Sequence, residues 1–214
     1  MARKVLLLAV LLGLLATSAS ASLIVQNGGF TVSGLPSLAD WTVNPCTGCT
    51  GVDWTATVLT AVNADLTPPP SGNPNAAYTG CMNSGNCVSN YIWQSLTTVA
   101  GQTYTLSFYS NPAGHQGSTE SPTELDVYWN GSLLGQLINQ PTEWLESTYT
   151  VTATSTSTVL GFSGRDDPYY LFLTDVSVTP MDQTVPEPLS LTLIGSGLLG
   201  LSAIGGILRR RRKA

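Results

Sequence analysis

The chain has 214 residues, 43% of them hydrophobic and only 10% charged, with a formal net charge of −5. Seven of its eight Lys and Arg residues lie near the ends (Arg3, Lys4, Arg209 to Arg212 and Lys213), so residues 22–184 set Arg165 alone against twelve carboxylates, a net charge of −11. Nucleic acids and anionic membranes are recognised by clustered Lys and Arg, so this acidic stretch excludes both as partners and suits neutral polysaccharide, divalent cations or solubility alone.

In chain order, Arg3-Lys4 precedes an apolar run from Val5 to Ala16, and Ala19-Ser20-Ala21 supplies small residues for a peptidase. This pattern predicts a secretory signal peptide over residues 1–21, cut after Ala21. A permanent membrane span is the alternative, but the run is short for one.

Residues 22–180 are of a size for one domain, poor in helix formers and rich in Thr, Ser, Gly, Val and aromatics. Strands are predicted at Trp54–Leu59, Tyr91–Leu96, Thr103–Tyr109, Leu125–Trp129, Ser132–Leu137, Ser147–Ala153, Thr158–Phe162 and Tyr170–Val178. In the Thr103–Tyr109 run, Tyr104, Leu106 and Phe108 share one face and polar residues the other, the period-two alternation of a half-buried strand. Asn130-Gly131 marks a two-residue hairpin, because a type I′ turn requires positive φ at both positions. Thr67-Pro68-Pro69-Pro70-Ser71-Gly72-Asn73-Pro74 reads as a loop. Short strands at roughly ten-residue spacing without helices predict an all-β fold, an antiparallel β-sandwich.

Four cysteines form two local pairs, Cys46 with Cys49 and Cys81 with Cys87. In an exported chain they read as two disulfides, and local pairing is expected because Gly, Asn and Ser let both segments bend. Zinc is the alternative for the Cys-x-x-Cys half, although the second pair is too widely spaced for a knuckle.

Residues 181–188 read as a linker ending in Val185-Pro186-Glu187-Pro188. Residues 189–208 are twenty positions without a charge, and residues 209–214 form a basic tail. Twenty helical residues span about 30 Å, the thickness of a bilayer's hydrocarbon core, so a transmembrane helix is expected, with the basic tail held in the cytoplasm.

The order of Pro-Glu-Pro, apolar helix and arginine run resembles the PEP-CTERM sorting signal of bacterial surface proteins. That resemblance covers residues 185–214 and implies processing by an exosortase in the membrane, with the product left on the cell surface or in the extracellular matrix. A permanent anchor has the same physics and is the alternative.

A second resemblance covers about residues 23–179. The segments Leu23-Ile24-Val25-Gln26-Asn27-Gly28-Gly29-Phe30, Asp40-Trp41-Thr42-Val43, Ile92-Trp93-Gln94-Ser95-Leu96, Ala100-Gly101-Gln102-Thr103-Tyr104-Thr105-Leu106-Ser107-Phe108, Phe162-Ser163-Gly164-Arg165-Asp166-Asp167 and Leu173-Thr174-Asp175-Val176-Ser177-Val178 are similar to galactose-binding-like jelly rolls, which include many carbohydrate-binding modules. It implies that Trp41 and Trp93 are core residues. It also implies a structural calcium ligand at Asp175, although Thr31 stands where relatives often carry an acid, which removes a carboxylate from a hard-oxygen cage.

Indole and phenol rings present flat apolar faces to the C–H face of a sugar, and amides and carboxylates bind its hydroxyls. Trp54, Trp93, Trp129, Trp144, Tyr78, Tyr91, Tyr109, Tyr169 and Tyr170 are the candidates. The glycan site is expected at Trp54, Tyr109 and Trp129, with Arg165 and Asp166 as polar contacts; an internal salt bridge is the alternative for Arg165. Catalysis has little support. The single histidine, His115, lies in a Gly-rich loop without a nucleophile motif, and Glu143 and Glu146, if they share a strand, point to opposite faces. The expectation is a noncatalytic exported protein that meets exopolysaccharide, or a structural acidic coat protein without a small ligand.

Overall fold

The computed structural model describes residues 24–45, 51–62, 66–81, 90–113 and 122–181. The signal peptide, Cys46, Cys49, Cys87, His115, the Pro-Glu-Pro motif, the apolar run and the basic tail lie outside these residues. Among the described residues no helix is long and apolar enough to cross a membrane.

The elements are β1 (Thr31–Val32), β2 (Leu35–Pro36), β3 (Thr42–Asn44), β4 (Gly51–Val58), α1 (Leu59–Val62), β5 (Asn75–Cys81), β6 (Asn90–Thr97), β7 (Thr103–Asn111), β8 (Glu124–Trp129), β9 (Ser132–Ile138), β10 (Leu145–Thr152), β11 (Ser157–Arg165) and β12 (Tyr170–Pro180). Two five-stranded sheets form, in the orders β10-β7-β12-β5-β4 and β3-β6-β11-β8-β9. Every pairing within them is antiparallel. The first is sheet A below and the second sheet B.

Strand alternation builds the core. Tyr104, Leu106, Phe108, Leu171 and Leu173 from sheet A meet Ile92, Leu96, Leu125, Val127, Leu160 and Phe162 from sheet B in one apolar cluster. Fully burying side chains of this kind contributes about 1.5–3 kcal/mol each, and their interdigitation sets the spacing of the sheets. Phe30 and Trp41 plug one side, with ring centroids 5.3 Å apart and Trp41 next to Phe162 at 6.2 Å. Trp41 is thus core, as its motif implied. A smaller cluster, Leu59, Leu66, Ala76, Ala113 and Phe172, covers part of the outer side of sheet A.

The hairpin at Asn130-Gly131 is present: φ is 51° and 79° at the two residues, and Trp129 pairs with Ser132. Strand β5 has no counterpart in the sequence reading. Its Ala76-Ala77 and Gly80 have low strand propensity, and tertiary packing decides. A Cβ on Gly80 would collide with the Tyr169 carbonyl, so only glycine lets β12 approach here.

Candidate functional site

The site is built by the parity of the strands of sheet B. On β6, Asn90, Ile92, Gln94 and Leu96 are buried. Gln94 points inward although it is polar because its amide is used completely. Its Oε1 accepts from Gln26 N–H at 2.8 Å, and its Nε2 donates to Gln26 O and Asp40 O, both at 2.9 Å. A buried amide so satisfied carries little penalty. Its inward turn sends the flanking Tyr91, Trp93 and Ser95 to the outer face.

Register then places the outward residues in rows. Trp93 lies between Thr42 on β3 and Gly161 on β11; Gly161 pairs with Tyr128 on β8, and Tyr128 with Leu133 on β9. The next row runs Asn44, Tyr91, Ser163, Asp126 and Gln136, and beyond it Arg165 pairs with Glu124 and Glu124 with Ile138. Tyr91, Trp93 and Tyr128 are each half-buried and therefore keep part of their rings in solvent. Tyr91 and Tyr128 meet edge to face, centroids 5.7 Å apart at 77°.

A polar network borders the rings. Tyr128 Oη donates to Asp126 Oδ2 at 3.1 Å, while Gln136 Nε2 donates to Asp126 Oδ1 at 2.9 Å and to Glu124 Oε1 at 2.6 Å. One amide thus orients two carboxylates that stand two residues apart on the same face of β8. Burial raises the phenol pKa of Tyr91, and burial together with the Asp126 and Glu124 charges and the Asp126 hydrogen bond raises that of Tyr128. Both phenols stay neutral donors at physiological pH. Arg165 is half-buried at the end of β11, and its Nε is buried without a hydrogen-bond acceptor, so the internal salt-bridge reading gains nothing from that atom.

The expected site residues are placed differently. Trp54 and Trp129 are only 3% and 6% exposed. Their indole N–H groups donate to Asn90 O at 2.9 Å and Thr152 O at 3.0 Å inside the molecule. Neither ring offers a face to a ligand, and both belong to the core. Asp166 is fully buried. Tyr109 lies on the outer side of sheet A, where its hydroxyl donates to Glu146 Oε2 at 3.2 Å. Of the five, Arg165 alone shares the face of Tyr91, Trp93 and Tyr128. Trp93 is conversely not a core residue.

Asp175 sits in a β-bulge of β12, at φ 52°, and its carboxylate accepts from Asn73 and Ser71. Among the described residues no three His, Cys, Asp or Glu side chains come together as a metal site would need. Of the cysteines, Cys81 ends β5, and the pairing of all four lies outside what is described.

No protein-family profile matches the sequence, and no curated protein sequence does. Solved structures do. The Stig cyclase Fisc from Fischerella sp. TAU, in complex with (3Z)-3-(1-methyl-2-pyrrolidinylidene)-3H-indole, is similar over 76% of this chain and 98% of its own, with 15% identity and a TM-score of 0.54. The enzymatically active domain of bacteriophage CBA120 tailspike protein 4 matches 74% of this chain but only 21% of its own, with 12% identity and a TM-score of 0.52. At such identities the likeness shows the β-sandwich fold and nothing finer. TmCBM61 in complex with beta-1,4-galactotriose follows at 16% identity, 75% and 100% coverage and a TM-score of 0.49, too loose to carry an argument.

Proposed function

We propose that this protein is a noncatalytic glycan-binding module of jelly-roll type, exported and sorted through its PEP-CTERM-like tail by an exosortase to the cell surface or matrix, where it binds exopolysaccharide. One observation carries the binding reading: Tyr91, Trp93 and Tyr128 share an outer sheet face with the Asp126–Gln136–Glu124 network. Three rings with part of their surface in solvent supply stacking area, and acceptors held by an amide supply directional contacts for hydroxyls, the composition of a sugar site. The two carboxylates beside the rings, with Arg165 the only cation of the exported stretch, favour a neutral glycan over an anionic one.

A second reading, the structural coat, draws on the other sheet. The outer side of sheet A carries Thr148, Thr150 and Thr152 of β10 beside Thr103, Thr105 and Ser107 of β7 and Ser177 and Thr179 of β12. These hydroxyls, with Glu146 at the end of their row, make a polar surface that needs no small ligand.

A screen of the purified protein against immobilised neutral and anionic glycans decides between the two. Retention by a neutral hexose polymer, abolished in Trp93→Ala, supports the module. No retention by any glycan supports the coat.

A further inference from the structure

The jelly-roll resemblance implies calcium at Asp175, and the side chains around it do not fit that ion. The N-terminal segment runs beside β12, with Ile24 N–H bonded to Val178 O at 3.1 Å and Val176 N–H to Gly28 O at 2.9 Å. This brings Gly29 to the bulge at Asp175. Three oxygens from these two segments converge on one nitrogen. Asn73 Nδ2 reaches Asp175 Oδ1 at 2.8 Å, Gly29 O at 3.0 Å and Thr174 Oγ1 at 3.0 Å, its two hydrogens shared among the three acceptors. The amide orientation is fixed, because Asn73 Oδ1 accepts from Asn75 N–H at 3.0 Å, and a flipped amide would oppose donor to donor and acceptor to acceptors.

The rest of the cluster is knitted in the same way. Ser71 Oγ donates to Asp175 Oδ2, Thr174 Oγ1 to Asn75 O at 2.8 Å, and Asn75 Nδ2 to Thr31 Oγ1 at 2.7 Å. Asn75 Oδ1 is left buried without a donor. Calcium takes six to eight oxygen ligands, including carboxylates, at about 2.3–2.6 Å. Here one carboxylate is present, both of its oxygens already accept, and a partly positive N–H₂ group stands at the focus of the oxygens.

We propose that the Asn73 carboxamide does in this protein what a cation would do: it ties the loop at residues 71–73, the N-terminal segment at Gly29 and the bulge of β12 together, and it makes the fold independent of calcium. It also holds Asp175, a non-glycine residue, in the left-handed region.

Thermal unfolding of the purified protein, in chelator and in millimolar calcium, tests this for the wild type, Asn73→Ala and Asn73→Asp. The wild-type midpoint is expected to be the same in both buffers. Asn73→Ala should lower it by about 5 °C in either, from the loss of the buried donors. Asn73→Asp sets a second carboxylate against Asp175 and should be destabilised in chelator and recover with calcium. A wild-type midpoint that drops in chelator and returns with calcium overturns the proposal, as does an Asn73→Ala variant as stable as the wild type. Neither result bears on glycan binding, which uses the opposite sheet.

Discussion

The phenol oxygen of Tyr91 lies over Gly161 on the neighbouring strand, so closely that a Cβ on that glycine would collide with it. The two residues are diagonal neighbours on the outer face of sheet B, since Gly161 pairs with Trp93 and Tyr91 with Ser163. The missing side chain at Gly161 is what lets Tyr91 lean across β11 toward Tyr128. Gly161→Ala should therefore displace the ring while leaving the core packed. We expect about a tenfold loss of glycan affinity for a stability cost of about 1 kcal/mol, read by calorimetry and by urea unfolding of the same sample.

The tryptophans of the two environments should separate in stability measurements. Trp54 packs on Gly164, where an added Cβ would stand 2.6 Å from its ring. Trp54→Ala opens a cavity and removes the partner of Asn90 O, so urea unfolding should report a loss of about 3–5 kcal/mol. Trp93→Ala, on the outer face, should cost about 1 kcal/mol in the same assay.

The strands, the hairpin at Asn130-Gly131 and the sandwich were legible because period-two alternation and turn chemistry are local. Which of the two faces is the core was not. Alternation groups Tyr91, Trp93 and Ser95 against Ile92, Gln94 and Leu96, but only the three hydrogen bonds of Gln94 to Gln26 and Asp40 decide that the glutamine side is buried. Those partners lie 54 and 68 positions away. The same problem put Trp54 and Trp129 on the wrong side, since a large aromatic is equally at home in a core and in a sugar site. Their indole acceptors, Asn90 O and Thr152 O, belong to other strands. The network of Glu124, Asp126 and Gln136 carried a signal that could have been read, three polar residues at alternate positions of two strands joined by a recognised hairpin.

Alkaline pH should weaken the fold. Tyr91, Tyr128 and Tyr149 have phenol pKa values raised above 10.0, in each case chiefly by burial. A phenol that is more acidic in the unfolded chain contributes stability that is complete below the unfolded value and is lost as pH rises through the folded one. Unfolding free energy measured from about pH 9 to pH 12 should fall, and Tyr128→Phe should flatten that fall. An unchanged slope in the variant would contradict the placement of Tyr128 beside Asp126.

The sorting proposal is tested at the other end of the chain. Replacing Pro186, Glu187 and Pro188 with alanine should leave an uncleaved membrane species in the producing cell. Intact-mass analysis of the wild-type surface protein should show no residues beyond the apolar run. Recovery of Arg209–Lys213 on the surface protein would establish a permanent anchor instead.

The expectation of two local disulfides is tested by non-reducing peptide mapping, which should recover Cys46 joined to Cys49 and Cys81 joined to Cys87. Stoichiometric zinc that is released by chelator with loss of folding would show a metal site in their place.

Calorimetry against a neutral oligosaccharide retained in the glycan screen tests the central claim most directly, with wild type, Trp93→Ala and Tyr109→Ala compared at equal foldedness. The wild type should bind more tightly than millimolar, Trp93→Ala should lose about 1–3 kcal/mol of binding, and Tyr109→Ala, on the other sheet, should bind like the wild type. A wild type without affinity below millimolar, or a Trp93→Ala variant that binds as well as the wild type, would contradict the assignment of the site to the outer face of sheet B.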